Sequence, residues 1–366
     1  MRKLFLALAL LLISVSTVSA QEKQQLFSPI KFNGYFIGYY RYNGQKENVS
    51  NSFDFRLLRV IASGRILEDF EWRFQAQVTG NTETLGKSPR MVDMSLEWQR
   101  FPEFRVKLGQ YKIPFTFENP EHPIDIGFMD NAQVICKLSQ YTDRTGIHSS
   151  NGRDVGLQIQ GDLFPNADGH RLLHYQIGVF NGQGINTPDV GNQKDIIGGA
   201  WVSPTPGLRI GAFGWTGSYA RKSGALFAKV DRRRYALSAE YDHDDWVFRS
   251  EYIHSTGGKF NTVVNKDGSA GDLTINEAAG NKADGFYVMA SAPIVKQKAN
   301  IKARYDVYRD RADMASSRTM YEIEANYMFT KNITFSLEYA FVNDRNIPNP
   351  DNHNYSILEA RMGVRF

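Results

Sequence analysis

Alternation of apolar and polar residues with a period of two constrains this chain more than any other feature. Between residues 70 and 79 every even position is apolar and every odd position is polar. The same pattern recurs at residues 299–307, 321–329 and 333–341. Because successive side chains of a β-strand point to opposite faces, each segment has one apolar and one polar wall. The chain is therefore predicted to be all-β.

The spacing of these segments predicts sixteen strands, joined alternately by short turns and longer polar loops. Crossing a bilayer takes a tilted strand of about 9–11 residues, and the segments are long enough. The strands are predicted at residues 30–42, 53–66, 69–80, 91–99, 104–112, 153–163, 171–181, 195–203, 207–219, 233–243, 246–256, 285–295, 298–309, 320–329, 332–343 and 355–366. An even number with this alternation of connections is typical of bacterial outer-membrane barrels.

A spanning sheet must close, because hydrocarbon offers no partner to an unpaired backbone group. The last strand, which ends on Phe366, is therefore predicted to pair with the first. The predicted fold is a sixteen-stranded antiparallel transmembrane β-barrel with short periplasmic turns and longer extracellular loops. The forty residues of loop 113–152 form a connection of the length that is usually functional, and they are predicted to fold into the lumen.

One predicted strand changes phase within its length. In residues 53–66, Phe55 belongs to one phase of the alternation and Val60 to the other. A β-bulge near Leu57 and Leu58 would reconcile the two phases. Two separate strands would also do so, and the sequence leaves both alternatives open.

The first twenty residues have the composition of a secretory signal. Arg2 and Lys3 precede an apolar run over residues 4–13, and small residues end the segment at Ala20. A retained anchor is the alternative, but the run is shorter than the ~20 residues of a spanning helix. The predicted organisation is a signal peptide at residues 1–20, a short periplasmic segment at 21–29 and a barrel at 30–366. The mature protein is thus expected in the outer membrane.

Composition excludes several classes of function. The mean hydropathy is -0.41, and aromatic residues make up 13% of the chain, which suits strands with interfacial aromatic girdles. Cys136 is the only cysteine, so no intrachain disulfide can form. The net charge of +4 falls to +2 without Arg2 and Lys3, and such a balance does not indicate a nucleic-acid partner.

Candidate catalytic and metal residues are few. The run from His243 to Asp245 lies on a predicted tight turn, where exposed polar residues are expected. His122, Cys136 and His148 share one loop and could meet, although a chance cluster is the simpler interpretation. No nucleophile elbow or glycine-rich phosphate loop is present in the sequence. The protein is predicted to be no enzyme and to need neither a cofactor nor a metal.

Three stretches resemble the phosphate-selective porin O and P family. They are Arg105–Lys112 followed by Ile113–Phe115, then Gly152–Gly156, and then Tyr175–Gly182. The resemblance extends over the mature chain from about Phe32 onward. It implies a sixteen-stranded trimeric channel in the outer membrane, with membrane lipid and small hydrophilic solutes or ions as partners.

The lumen predicted from the strand phases is nearly neutral but divided. Strands 16 and 1 to 5 carry nine inward-facing basic residues and four acidic ones. The other strands carry five basic residues and nine acidic ones. Lys107 and Lys112 match the family pattern, whereas loop 113–152 is acidic, so phosphate specificity is not carried over. The predicted basic pore-lining residues are Arg41, Arg59, Arg73, Arg105, Lys107, Lys112, Arg361 and Arg365. The predicted acidic residues of the constriction loop are Glu118, Glu121, Asp125 and Asp130.

The predicted function is passive diffusion of small hydrophilic solutes or ions through a water-filled pore narrowed by loop 113–152, with anions such as phosphate among the candidates. The alternative is a plugged barrel that acts as a surface adhesin or an outer-membrane assembly component. In that case loop 257–284, rich in Gly, Asn, Lys and Asp, is the expected contact surface.

Overall fold

A computed structural model describes residues 26–79, 89–264 and 272–366 of the chain. The predicted signal peptide lies outside these residues. The described residues form one closed antiparallel barrel of sixteen strands, in which each strand pairs with its neighbours in sequence and the first pairs with the last. The predicted fold class, strand number and closure are confirmed.

The strands are β1 Lys31–Asn43, β2 Ser50–Ile66, β3 Phe70–Gln77, β4 Arg90–Phe101, β5 Phe104–Lys112, β6 Arg153–Pro165, β7 Arg171–Phe180, β8 Asp195–Thr205, β9 Leu208–Ser223, β10 Leu226–His243, β11 Trp246–Thr256, β12 Lys282–Val295, β13 Ala299–Arg309, β14 Ser317–Thr330, β15 Ile333–Asp344 and β16 Asn354–Arg365. In the described part of the chain one α-helix, α1, spans Gln133–Leu138, and 3-10 turns occupy Glu277–Ala279, Met314–Ser316 and Pro350–Asn352. Within the described residues, no helix is long and apolar enough to cross a membrane.

Several strands continue beyond their predicted extracellular ends. The pairing of β9 with β10 runs up to Ser223 and Leu226, whereas the predicted strands stop at 219 and start at 233. The alternation of apolar and polar residues fades there because outward side chains meet water, while inward ones such as Arg221 and Arg232 are charged and bind polar partners inside the barrel. Backbone pairing persists without the pattern that made it predictable.

The phase change in β2 is a bulge. Ile37 pairs with Leu57, but the next residue of β1, Gly38, pairs with Phe55, so Arg56 is the extra residue. The bulge thus lies one residue before the predicted position, and the alternative of two separate strands is wrong. Because the bulge shifts the phase, Arg56 reaches inward to Asp130, with Nη2 3.3 Å from Oδ1.

Short turns connect strands at the predicted short-turn end of the barrel. Asp244 and Asp245 lie between the paired residues His243 and Trp246, and their φ values are 56° and 67°. Positive φ at both central residues is the mark of a type I′ turn, whose twist matches that of the flanking strands. The β2–β3 connection has three residues, 67–69, because Ile66 pairs with Phe70, and Leu67 and Glu68 also have positive φ. These turns fix the register of β2 with β3 and of β10 with β11.

The closure seam joins β1 to β16 and continues to the last residue. Gly34 donates its backbone N–H to the carbonyl of Phe366 at 2.8 Å, and Phe366 donates back at 3.0 Å. A Cβ atom on Gly34 would lie 2.6 Å from the Phe366 ring and 2.5 Å from the Arg59 carbonyl oxygen. The ring of Phe366 therefore packs where Gly34 has no side chain.

We expect Gly34→Val to weaken the seam, because its side chain would displace the Phe366 ring or separate β1 from β2. The expected cost is about 1–3 kcal/mol, as for other overpacked sites. It is measured as a lower temperature for the shift from folded to unfolded mobility on a denaturing gel.

Gly214→Val is the matched control, since a Cβ at Gly214 meets no atom within 4 Å. Equal transition temperatures for the two variants would contradict the packing role of Gly34.

Candidate functional site: the lumen and its inner loop

Loop 113–152, called the inner loop from here on, lies inside the barrel as predicted. Its apolar side chains pack on inward-facing side chains of the wall formed by β7 to β13, called the far wall. The ring of Phe115 lies 5.5 Å from that of Trp215, and the ring of Phe117 lies 5.5 Å from that of Phe213. Burial of these large apolar groups holds the inner loop against the far wall.

Helix α1 is oriented by carboxylates near its first turn. Gln133 donates its N–H to Asp306 Oδ2 on β13 at 2.8 Å, and Ala132 donates to Glu118 Oε1 at 2.8 Å. Carboxylates at this end satisfy N–H groups that have no partner within the helix. Glu118, predicted as a constriction residue, is only 2% exposed and acts here as an acceptor inside the inner loop.

Buried ion pairs add to the attachment on the far wall. Asp143 accepts two hydrogen bonds from Arg234 of β10, at 2.6 and 2.8 Å, and neither side chain is exposed. Burial alone would raise the pKa of Asp143, but the Arg234 guanidinium holds that pKa below its usual range. Glu121, a second predicted constriction residue, pairs with Arg249 of β11. Both acids therefore contact the far wall.

The opposite wall, formed by β16 and β1 to β6 and called the near wall, contacts the other edge of the inner loop. Asp130 pairs with Arg41 of β1 at 3.2 Å, in addition to its contact with Arg56. Asp125 pairs with Arg365 of β16. Two of the four predicted loop acids thus face the near wall, and both side chains remain about half exposed.

His122 contacts the near wall as a neutral ring. Arg73 Nη2 lies 3.2 Å from His122 Nε2, and since a guanidinium only donates, Nε2 must accept. Partial burial, together with the nearby charge of Arg73, lowers the pKa of His122 to about 4. At neutral pH the ring therefore accepts this hydrogen bond without carrying a charge.

The eight predicted basic residues have two kinds of environment. Five of them, Arg41, Arg73, Arg105, Lys107 and Arg365, keep part of their side chain in solvent along the near wall. The other three hold structure together. Arg59 is fully buried and donates to Gln77 Oε1 and the Tyr35 hydroxyl.

Lys112 and Arg361 anchor the inner loop to the wall. Lys112 Nζ donates to the Glu121 carbonyl at 2.6 Å and to the Tyr141 hydroxyl at 2.8 Å. Arg361 donates to the Phe128 carbonyl and to Glu324 Oε2. The N–H donors of these cations are therefore largely occupied by fixed acceptors, and they offer less to a passing solute than the five partly exposed ones.

Sequence reasoning missed several inward cations. Arg232 lies two residues from Arg234 and so shares its inward face, where it pairs with Asp195 at 2.7 Å. Continuing the alternation of β10 past its predicted start would have found it. Arg153, at the start of β6, pairs with Asp93 and is likewise buried.

Two arginines join the inner loop to the extracellular loops. Arg144 donates to the carbonyls of Ala279 and Asp310 at 3.2 and 3.1 Å. Arg221 donates to the carbonyl of Gly146 at 2.7 Å and also to that of Thr262. The described part of loop 257–284 therefore lies over the inner loop and fixes its outer end.

The loop histidines and the cysteine have separate environments. The ring of His148 contacts the carbonyl of Ile185 at 3.1 Å, and Cys136 Sγ lies 3.6 Å from the carbonyl of Asn131. Across residues 26–79, 89–264 and 272–366, no three or more His, Cys, Asp or Glu side chains are placed to hold a metal ion.

Comparison with known proteins supports the assignment of the barrel. Residues 30–186 match the model of the family described as phosphate-selective porin O and P, which confirms the predicted resemblance. The match contains all three stretches on which that resemblance was based, but it ends before β8 and does not include the rest of the mature chain, over which the resemblance was expected to extend. No curated protein matches the chain significantly.

Solved structures share the fold at low sequence identity. The anion-selective porin from Comamonas acidovorans is 12% identical with a TM-score of 0.65, and the alignment covers 93% of this chain and 100% of that one. The outer membrane channel DcaP of Acinetobacter baumannii is 11% identical with a TM-score of 0.62, covering 95% and 100%. OmpT of Vibrio cholerae in its trimer form is 10% identical with a TM-score of 0.56, covering 93% and 100%.

The closed barrel and the family match together define an outer-membrane β-barrel of the porin class. Its lumen holds an inner loop that is buried on one side and charged on the other. Location in the outer membrane and channel architecture follow from this class.

We expect Asp143→Asn to destabilise the attachment of the inner loop. The substitution leaves the guanidinium of Arg234 buried without its counter-charge, which typically costs about 3–5 kcal/mol. The measurement is the free energy of unfolding in urea, followed by tryptophan fluorescence, since Trp215 lies beside Arg234.

Asp313→Asn provides the comparison, because its ion pair with Arg311 is about half exposed. Loss of such a surface pair changes stability by less than about 1 kcal/mol. If the two variants lost equal stability, the buried pair would have no special role.

Proposed function

We propose that this protein is a passive, non-enzymatic channel for small hydrophilic solutes and inorganic ions, with the inner loop as its narrowest part. The supporting observation is the distribution of partly exposed charges. Arg73, Arg105 and Lys107 on the near wall keep between a fifth and a third of their side chains in solvent. On the far wall, Arg232, Arg234 and Arg304 are almost fully buried.

The solvated path therefore runs between the near wall and the charged edge of the inner loop. Solutes would be sorted by size and by the field across this gap, since lining charges determine which ions pass. The bases of the near wall are accompanied by Asp125, Asp130 and Glu97. This mixed lining favours weak ion selectivity, so anions such as phosphate would pass without exclusive preference.

We also propose that the channel assembles as a homotrimer in the membrane. The support is the resemblance to a family of trimeric channels and the trimer form of the structurally similar OmpT of Vibrio cholerae. Each barrel has its own closed seam, so each protomer would carry its own pore.

Deletion of residues 116–148 is expected to raise single-channel conductance several-fold. The deletion removes the segment that crosses the lumen, so the remaining bore is wider, and ionic current rises with open cross-section. The measurement is planar-bilayer recording in KCl, with retained folded mobility on a gel as the check that the shortened barrel forms. Unchanged conductance of the folded variant would contradict the constriction.

One observation favours the second candidate function, a plugged barrel. The inner loop is bonded to both walls, through Arg234 on one side and Arg41 on the other, and extracellular segments bond to its outer end. A folded wild-type protein without steady conductance, together with a conducting deletion variant, would identify the inner loop as a plug. The barrel would then serve as a surface adhesin or an assembly component.

Removing the acids at the edge of the inner loop should make the channel more anion-selective. We expect Asp125→Asn with Asp130→Asn to increase the chloride-to-potassium permeability ratio about two- to fivefold, because two negative charges leave the gap while the near-wall bases stay. The measurement is the reversal potential in a KCl gradient, repeated with phosphate added.

Asp351→Asn, on an exposed extracellular turn, is the control and should leave the potential unchanged. A block by phosphate in the wild type, with a strongly anionic reversal potential, would show that the channel is phosphate-specific.

A further inference from the structure

The outer face of β10 to β13 changes character abruptly toward the extracellular side. Directly paired residues Leu237, Tyr252, Phe286 and Val307 form the last apolar row across the four strands. Two polar rows lie above it. The lower row is Tyr235, His254, Asp284 and Arg309, and the upper row is Arg233, Thr256 and Lys282.

The charged residues of the lower row pair with each other. Asp284 accepts a hydrogen bond from Arg309 Nε at 2.7 Å and another from the Tyr252 hydroxyl at 3.4 Å. The ring of His254 stacks on Tyr235, with centroids 5.3 Å apart. The only carboxylate in the two rows is therefore neutralised by its neighbour.

The upper row has two cations with no counter-charge. Arg233 and Lys282 are exposed, and neither side chain has a hydrogen bond or ion pair with the described residues. Both are paired with Thr256, so two inter-strand spacings of about 4.8 Å separate their Cα atoms. Their long side chains can both reach an anionic group lying over Thr256. Higher on the same face of β10 lies Asp231, and beyond it Lys229 donates to Gln193 Oε1 at 3.3 Å.

A concavity in the lipid-facing surface lies below these rows. It measures about 920 Å³, and its outward lining includes Ala239, Ser250, Val288, Ala290 and Ala303. Ala239, Ser250 and Val288 are paired across β10 to β12 in the row next below Leu237. The concavity exists because these side chains are mostly small, and Tyr305 and Phe248 border it. Such an apolar hollow at membrane depth suits hydrocarbon chains.

We propose that this surface binds one phosphorylated lipid of the outer leaflet. The phosphate lies between Arg233 and Lys282, and the acyl chains occupy the concavity below. Cations beside an aromatic belt attract anionic headgroups, and the apolar hollow adds a contact that a soluble anion cannot make. A lipid phosphate and a soluble phosphate monoester would contact the same two cations. The apolar concavity favours the lipid, because only a lipid has hydrocarbon chains to fill it.

The test uses the full-length protein in detergent, titrated with phosphorylated lipid A and followed by native mass spectrometry. We expect Arg233→Gln with Lys282→Gln to raise the dissociation constant on the order of tenfold, since each cation near a lipid surface contributes measurably. Lys222→Gln with Lys331→Gln removes the same charge from exposed positions elsewhere and should leave the constant unchanged. Equal affinities of the two double variants would overturn the proposal.

Two further arms separate the headgroup from the chains. Dephosphorylated lipid A should bind the wild type as weakly as phosphorylated lipid A binds the Arg233 and Lys282 variant. Ala290→Trp, which fills the concavity, should weaken lipid binding, whereas Ala200→Trp on the outward face of β8 should not. Displacement of the lipid by an equal concentration of inorganic phosphate would show a simple anion site and overturn the lipid assignment.

Single-channel conductance should be the same in all these variants, because every substitution lies on the outer face or in a connecting turn. The lipid site and the channel function can therefore fail independently of each other.

Discussion

The whole molecule depends on one requirement, that every backbone N–H and C=O group at membrane depth has a partner within the protein. Sixteen antiparallel pairings meet this requirement, and the last is the seam between β1 and β16, extended by Gly34 and Phe366. Closure creates an interior that is separated from lipid. Charged residues such as Arg304 and Glu322 can lie at membrane depth because that interior provides polar partners.

Apolar packing determines where the inner loop lies inside the barrel, and charged residues then line the gap that remains. Phe213 and Trp215 are inward-facing on β9, and they bind the apolar side of the inner loop. The inner loop is therefore held toward the far wall, and its polar edge faces Arg41 and Arg73. The position of the solvated gap follows from where the wall is apolar, and the charges then set the field within it.

The strands were predictable because lipid on one side and polar lumen on the other impose alternation on every crossing. The same logic found the closure and, to within one residue, the bulge in β2. It failed above the membrane, where β10 continues to Leu226 without a pattern, and so it missed Arg232. The alternation also could not predict which residues pair within the lumen, since the contacts of Glu121 and Lys112 depend on how a forty-residue loop folds.

The bulge at Arg56 lets β2 change its lumen-facing residues without changing its lipid-facing ones. On the outer face, Phe53 and Phe55 keep their aromatic contacts with Tyr40 and Phe36. On the inner face, the additional residue contributes a guanidinium to Asp130. Lumen charge can thus change through the insertion or deletion of one residue, with no substitution on the surface that meets lipid. Chain length at this position is itself a variable through which related channels could diverge in selectivity.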